Sequence, residues 1–279
     1  MNAKRLLYTV LSAVMFVSGA VLLFYFFWEN GYIDMPVSNS GSVDEDVDFT
    51  YPSLPSKIEP SATSETNPGS EPGETTSGEF DPDSQYTNII DFDQLKKSNN
   101  EIIGWLYMTA PYINQPILMS KKDDAYYLSH GPNGKYSKKG SFYIENSYNR
   151  PDFEDPVTII YGHRKSDGSM FGTLQATMAK TDINKDPQYV VIYLPNTTKI
   201  FHIIATVRQD SNHILYYNNF NSREEYDAFF DKVYSSKGTG VQLVPNEKPQ
   251  YGDRVLILST CFKGDRTNRF LVIAKELKK

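Results

Sequence analysis

Eight short apolar runs from residue 105 onward restrict the fold more than any other feature of this 279-residue sequence. They are rich in β-branched and aromatic residues and are bounded by turn formers, which is typical of β-strands. The runs are WLYM (105–108), PILMS (116–120), GSFYIE (140–145), VTIIYGH (157–163), YVVIYL (189–194), KIFHIIATVRQ (199–209), RVLILST (254–260) and RFLVIAKEL (269–277). Most links between them are too short for regular crossover helices, so the sequence predicts a mainly β domain, closed or sandwiched, rather than a doubly wound sheet.

Three further segments have the periodicity of helices. They cover residues 89–98, 171–180 and 222–236. The third begins with Ser222 as an N-cap and has Glu225 three residues later, which is the pattern of a capping box. We interpret Gly104 as a break between the first helix and the first strand.

An uninterrupted apolar stretch occupies residues 6–28 and contains no Asp, Glu, Lys or Arg. At about 1.5 Å per residue, a helix of this length spans the roughly 30 Å hydrocarbon core of a bilayer. A cleaved signal peptide is the alternative, but its apolar region is only roughly 7–15 residues long. Lys4 and Arg5 precede the stretch, so residues 1–5 are predicted to be cytoplasmic. The sequence thus predicts a single-pass protein of the cell membrane with an extracellular C-terminal domain.

Residues 29–86 form a linker dominated by Ser, Thr, Pro, Gly, Asp and Glu. Such a segment cannot bury enough apolar surface to offset the entropy of ordering, so we expect a disordered acidic tether. The whole chain has 28 basic and 34 acidic residues and a net charge of −6, which argues against nucleic acid as a partner. Residues 87–279 have the composition of a single folded domain.

Cys261 is the one cysteine of the sequence, so an internal disulfide is excluded. It directly follows the apolar run 254–260, where a strand gives way to a polar loop. A nucleophilic cysteine needs such exposure together with a cationic neighbour. Arg269 opens the next strand, and antiparallel pairing of the two strands would place its guanidinium beside the thiol, where it can stabilise an oxyanion. The alternatives are a cysteine that only packs in the core and an arginine that only covers a loop.

His163 is the histidine best placed to exchange protons with this thiol, because it also ends a strand and precedes a loop. His202 lies inside an alternating strand and is expected to be a partly buried sheet residue, whereas His130 and His213 lie in polar loops. The four histidines are far apart and lack a second cysteine, so no metal site is predicted. Neither a glycine-rich phosphate loop nor a G-x-S-x-G motif is present, and no cofactor is predicted.

The segments around these residues resemble the class B sortases. The similarity rests on LSTC followed by seven residues and an arginine, and on YGH and DGSMFG about a hundred residues earlier. It extends from IDFDQLKKSNNEIIGWL to the C-terminus. Phe262 is a departure, since some relatives carry an acidic or polar residue after the cysteine. The resemblance implies an eight-stranded sortase β-barrel with an N-terminal helix and a helix between strands 6 and 7.

The resemblance also implies roles for individual residues. Cys261 would attack the substrate and carry a thioester, and His163 would protonate the leaving amine and deprotonate the incoming one. Arg269 would hold the substrate backbone and the oxyanion. Ser259 and Thr260 are expected to contact the substrate, and the alternative for Ser259 is a strand-end residue that bonds only to backbone.

Sortases are cysteine transpeptidases that cleave a C-terminal sorting signal after Thr and join the new acyl group to an amine. The chain is therefore expected to act on surface proteins that bear a sorting signal of the Asn-Pro-x-Thr type, at the outer face of a Gram-positive cell. An amine of the peptidoglycan precursor is the expected acceptor, and a pilin lysine is the alternative. An anchored domain that only binds surface ligands, with an inert thiol, is the alternative from a different class.

Overall fold

The computed structural model describes residues 88–277. Its strands are β1 (Ile102–Thr109), β2 (Tyr112–Leu118), β3 (Phe142–Tyr143), β4 (Val157–Tyr161), β5 (Tyr189–Leu194), β6 (Thr197–Asp210), β7 (Gln242–Leu243), β8 (Val255–Phe262) and β9 (Asp265–Glu276). Its helices are α1 (Phe92–Ser98), α2 (Leu174–Met178), α3 (Ile214–Tyr217) and α4 (Arg223–Tyr234), with 3-10 segments at Tyr126–Leu128 and Pro245–Glu247. The predicted cytoplasmic segment, membrane span and tether, residues 1–5, 6–28 and 29–86, lie outside the described residues.

Eight of these strands form a closed ring. Neighbouring strands follow the order β5-β1-β2-β3-β4-β8-β9-β6, and β6 pairs again with β5, which closes the barrel. Most pairs are antiparallel, but β2 pairs with β3 and β4 pairs with β8 in parallel. The short strand β7 pairs with β6 beyond the residues that β5 uses. The parallel pair β4 and β8 matters most for the site, because both strands end at the same rim.

Both faces of the barrel wall are covered, which explains why the strands read as continuous apolar runs rather than as strict alternation. Leu256 and Leu258 of β8 belong to the cluster that fills the barrel, whereas Ile257 between them packs on the outer face. Helix α4 covers that outer face with four buried side chains, Tyr226, Phe229, Phe230 and Val233. Helix α1 covers another part of the wall with Phe92 and Leu95.

The predicted fold is confirmed for the described residues, which form a mainly β, closed eight-stranded barrel. Each of the eight predicted runs contributes one strand of the ring, α1, α2 and α4 lie within the three predicted helical segments, and α4 lies between the sixth and seventh ring strands. Strand β7 and helix α3 were not predicted. Across residues 88–277 we find no helix with both the length and the apolar character that crossing a membrane requires.

The predicted break at Gly104 is wrong, because this glycine lies within β1. The register of β1 against β2 shifts between Ile102 and Gly104. A Cβ at Gly104 would lie 3.0 Å from the Leu194 side chain and 3.1 Å from the Tyr193 carbonyl oxygen. The glycine therefore lets β5 approach the irregular part of β1 closely. Close approach of a neighbouring backbone is one reason for a glycine inside a strand.

Candidate active site

Cys261 and Arg269 face each other across the last hairpin of the barrel. They are cross-strand partners in the antiparallel pair of β8 and β9. Arg269 Nη1 lies 3.9 Å from Cys261 Sγ, and the thiol is partly exposed. The predicted antiparallel placement of the guanidinium beside the thiol is thus observed. A cation in this position can stabilise a thiolate, or the oxyanion that forms when the sulfur attacks a carbonyl carbon.

A bulge between these two residues holds the arginine in place. Phe262 pairs with Asp265 whereas Cys261 pairs with Arg269, so residues 266–268 are left out of the ladder with β8, although Asn268 still pairs with Asp210 of β6. Two carbonyl oxygens accept from Arg269 Nη1, that of Arg266 at 3.1 Å and that of Asn268 at 3.4 Å. These two contacts are to neutral backbone groups, so they orient the guanidinium without neutralising its charge.

His163 lies just beyond the end of the neighbouring parallel strand. Tyr161 of β4 is opposite Ser259 of β8, and Gly162 N donates to Ser259 O at 3.2 Å. His163 and Cys261 are each two residues beyond that pair. Because adjacent strands lie roughly 4.8 Å apart and parallel strands end at a common edge, the fold brings His163 to the rim that carries Cys261 and Arg269.

One contact determines which nitrogen of His163 is free to exchange a proton. His163 Nε2 is 2.8 Å from the carbonyl oxygen of Leu128, which ends the 3-10 segment. A carbonyl oxygen only accepts, so Nε2 donates and carries the hydrogen. Nδ1 is then the nitrogen that takes up and releases a proton. The sequence could not identify the Leu128 carbonyl as the partner of His163, because every residue carries a backbone acceptor.

Gly162 makes the end of β4 possible. A Cβ on this glycine would lie 2.6 Å from Phe142 Cδ1 and 2.8 Å from Phe171 Cδ2, well inside contact distance. Phe171 N in turn donates to His163 O at 2.9 Å and closes the loop of residues 164–170. The YGH segment therefore needs its glycine so that two core rings can pack directly beneath the histidine.

Ser259 and Thr260 precede the thiol and are both buried, with 4% and 2% of their surface exposed. Thr260 Oγ1 donates to Gly162 O at 2.8 Å and so joins the ends of β8 and β4. The observed contact of Thr260 is structural. Contact of either residue with a substrate stays a prediction.

A partly buried polar cluster that the sequence did not predict lies on the outer face near His163. The Glu145 carboxylate accepts from the Tyr161 side chain and lies 2.9 Å from His213 Nε2. Burial raises the pKa of the Glu145 carboxyl, and the hydrogen bonds from the neighbouring His213 and Tyr161 side chains oppose this shift. His213 also caps α3, since its side chain accepts from Tyr216 N. These partners are far apart in sequence, so only the folded chain shows that they meet.

The remaining histidines do not join the site. His202 is partly buried within β6, as predicted, and its ring lies 5.5 Å from that of Tyr189. His130 stacks on Tyr126 with 3.8 Å between ring centroids. In the part of the chain that the structure describes, no three His, Cys, Asp or Glu residues are grouped so that they could hold a metal ion.

Fold and site together define a class of closed eight-stranded β-barrels whose rim carries a thiol, a facing arginine and a histidine that follows the parallel neighbouring strand.

No protein-family model matches the chain. The chain is 31% identical over 168 residues to sortase B of Listeria monocytogenes, a match that covers 60% of this chain and 65% of that protein. It is 26% identical over 197 residues to sortase B of Staphylococcus aureus, covering 67% of this chain and 75% of that protein.

Solved structures agree with these relatives. The structure of sortase B from Bacillus anthracis in complex with AAEK2 matches with a TM-score of 0.56 and 28% identity, over 67% of this chain and 83% of that chain. The chain is thus similar in sequence and in fold to class B sortases, and it spans just under two thirds of the length of the Listeria relative.

Proposed function

We propose that the chain is a cysteine transpeptidase that cleaves a sorting signal after Thr and transfers the acyl group to an amine of the peptidoglycan precursor. The observation that carries the proposal is the distance of 3.9 Å between Cys261 Sγ and Arg269 Nη1, at the rim where His163 follows the end of β4. A thiol, a cation and a proton carrier on one edge are the groups that acyl transfer requires.

The reaction divides into two balanced steps. The Cys261 thiolate adds to the Thr carbonyl carbon, the C–N bond breaks, and the leaving nitrogen takes a proton from His163 Nδ1. A thioester remains on Cys261. The incoming amine then gives a proton to His163 and attacks the thioester carbon, and the C–S bond breaks to restore the thiolate. Arg269 stabilises the oxyanion of both tetrahedral intermediates.

Incubation of the full chain in detergent with a panel of sorting-signal peptides tests the proposal. We expect cleavage after Thr, an acyl-enzyme mass on Cys261, and a hydroxamate product when hydroxylamine is the acceptor. An amine of the peptidoglycan precursor should compete with hydroxylamine for the acyl group. If a pilin lysine competes more strongly than this amine, the acceptor is the pilin lysine instead.

The Cys261→Ala variant is the matched control, because it removes the single thiol of the chain and nothing else. It should release no product and form no adduct. If no peptide is cleaved by the wild-type chain and its thiol resists methanethiosulfonate reagents, the chain is a non-catalytic surface domain and the proposal fails.

We further propose that residues 6–28 anchor the protein in the membrane with the barrel outside the cell. The support is the length of the apolar stretch and the basic residues Lys4 and Arg5 before it. Cys261 offers a direct test, since a membrane-impermeant thiol reagent applied to intact cells should label it. Labelling that requires prior lysis would contradict this topology.

A further inference from the structure

The Asp265 carboxylate bonds within the bulge that holds Arg269, which is also held at the end of β6, where Ser211 N donates to Thr267 O at 3.1 Å. Its Oδ1 accepts from Thr267 N at 2.9 Å and from Thr267 Oγ1 at 2.6 Å. Its Oδ2 accepts from Asn268 Nδ2 at 2.7 Å. Asp265 thereby bonds to two of the three residues that loop out between it and Arg269.

Arg208 of β6 attaches this carboxylate to the barrel wall. The Arg208 guanidinium forms an ion pair with Asp265, and its Cζ lies 4.8 Å from the centroid of the Phe262 ring. Phe262 directly follows the nucleophile and pairs with Asp265 across the hairpin. The ion pair and the cation–π contact therefore join β6 to both strands of the hairpin.

The consequence reaches Arg269 through the backbone. The carbonyl oxygens of Arg266 and Asn268 accept from Arg269 Nη1, and both belong to the bulge that Asp265 organises. If the bulge relaxes, these carbonyls turn away and the guanidinium loses its fixed position beside the thiol. The bond from the Thr267 hydroxyl contributes most to lowering the pKa of the Asp265 carboxyl, so the group is a carboxylate at neutral pH.

We propose that Asp265, held by Arg208, is a positioning residue that sets the orientation of Arg269 toward Cys261 through the bulge at residues 266–268. The inference rests on the proposed function for its catalytic consequence, but its geometric part concerns only the thiol and its neighbour. Asp265 does not itself touch the reacting atoms. It acts through the Arg269 side chain. The quantity to measure is therefore the energetic coupling between substitutions at Asp265 and at Arg269.

A double-mutant cycle on the full chain in detergent measures this coupling. The variants are Asp265→Ala, Arg269→Ala and the double variant, each assayed for kcat and KM with a cleavable peptide and for the alkylation rate of Cys261 with iodoacetamide. We expect Asp265→Ala to lower kcat by about 10- to 100-fold, the size of a small misplacement of a catalytic group, with little change in KM. In the Arg269→Ala background the same substitution should change neither kcat nor the alkylation rate.

Two further variants guard against loss of the fold. Asp265→Asn keeps an oxygen acceptor for Thr267 N but loses the charge that pairs with Arg208, so its kcat should lie between those of wild type and Asp265→Ala. Asp182→Ala is the control, because Asp182 Oδ1 accepts from Asn184 N in a similar turn at another place on the surface. It should match wild type.

The outcomes separate this inference from the proposed function. Independent, multiplicative effects of the two substitutions, or an unchanged Asp265→Ala variant, would overturn the positioning role even in an active enzyme. A wild-type chain that cleaves no peptide would sink the proposed function, while coupled alkylation rates would still support the positioning role.

Discussion

Arg269 illustrates how much the chemistry depends on the shape of a single side chain. Its Nη1 faces the thiol and at the same time donates to the carbonyl oxygens of Arg266 and Asn268. The same planar guanidinium thus supplies the positive charge and, through its hydrogen bonds to the bulge, fixes the position of that charge. A lysine would keep the charge but could not reproduce the planar fork.

We therefore expect Arg269→Lys to lower kcat by about 100-fold, the effect of losing one oxyanion donor. Steady-state kinetics with the best peptide of the panel measures it. Arg223→Lys is the control, because Arg223 is an exposed arginine whose guanidinium stacks on the Tyr251 ring. Full activity of the Arg269→Lys variant would refute its role.

His202 gives a prediction for stability against pH. Burial lowers the pKa of His202 below its ordinary value of 6.5, and its Nε2 is buried with no hydrogen-bond partner among the described residues. Below pH 6.5 the unfolded chain binds this proton more readily than the folded chain does. The contribution of neutral His202 to stability is therefore complete above pH 6.5 and is lost as the pH falls toward the lowered pKa.

Replacing this residue should remove that dependence. We expect His202→Phe to reduce the pH dependence of the free energy of unfolding below the ordinary pKa of 6.5, where one proton changes that free energy by at most about 1.4 kcal/mol per pH unit. Urea unfolding at several pH values measures the slope. Equal slopes for the variant and wild type would contradict the assignment.

Helix α4 is an element that local sequence predicted. Ser222 accepts from Glu225 N at 3.4 Å, as the predicted N-cap should. The Glu225 carboxylate, however, accepts from Asn219 N at 2.7 Å instead of from the cap residue. The helix begins where the pattern indicated, although the return bond of the capping box reaches further back along the chain.

The cap can be tested by two substitutions at one position. Ser222→Ala should reduce the free energy of unfolding by about 1 kcal/mol, because it leaves a helix-end amide without a partner. Ser222→Gly should cost only a few tenths of a kcal/mol. Thermal unfolding of both variants measures the difference. A Ser222→Ala variant as stable as wild type would mean that the Ser222 hydroxyl does not stabilise α4.

The strands and the residues of the site were predictable to different extents. Runs such as 157–163 and 254–260 carry their own signal, because strands buried on both faces are continuously apolar. The facing of Cys261 and Arg269 followed from one hairpin. The Leu128 carbonyl, the Glu145 cluster and the link from Arg208 to Asp265 join distant parts of the chain, so no local pattern reports them. The turn at Asp265 was not predicted either, although the Asp, Thr and Asn within residues 265–268 are residue types that form such local bonds.

At the scale of the whole molecule, an ion-pair network ties the barrel together at the end opposite the site. Lys199 is only 7% exposed and lies 2.6 Å from Glu154 and 2.9 Å from Glu276. Arg254, which precedes β8, lies 2.5 Å from Glu154 and 2.8 Å from Glu276. The network joins β6, β9, the start of β8 and the loop before β4.

Removing both carboxylates should leave a buried and unpaired ammonium. We expect Glu154→Gln with Glu276→Gln to cost about 3 kcal/mol, and the addition of Lys199→Met to recover most of that loss, because an apolar side chain needs no partner. Chemical denaturation of the double and triple variants measures both changes. A triple variant no more stable than the double one would show that the charge of Lys199 is not the cause.

The parallel pairing of β4 and β8 has a consequence for how the candidate site is assembled. Gly162 and Thr260, which bond across this pair, are 98 positions apart, and His163 and Cys261 share that separation. The histidine and the thiol therefore become neighbours only when β8 pairs with β4 in the folded barrel. Until that pairing forms, the chain holds the two groups apart, so closure of the ring also completes the candidate site.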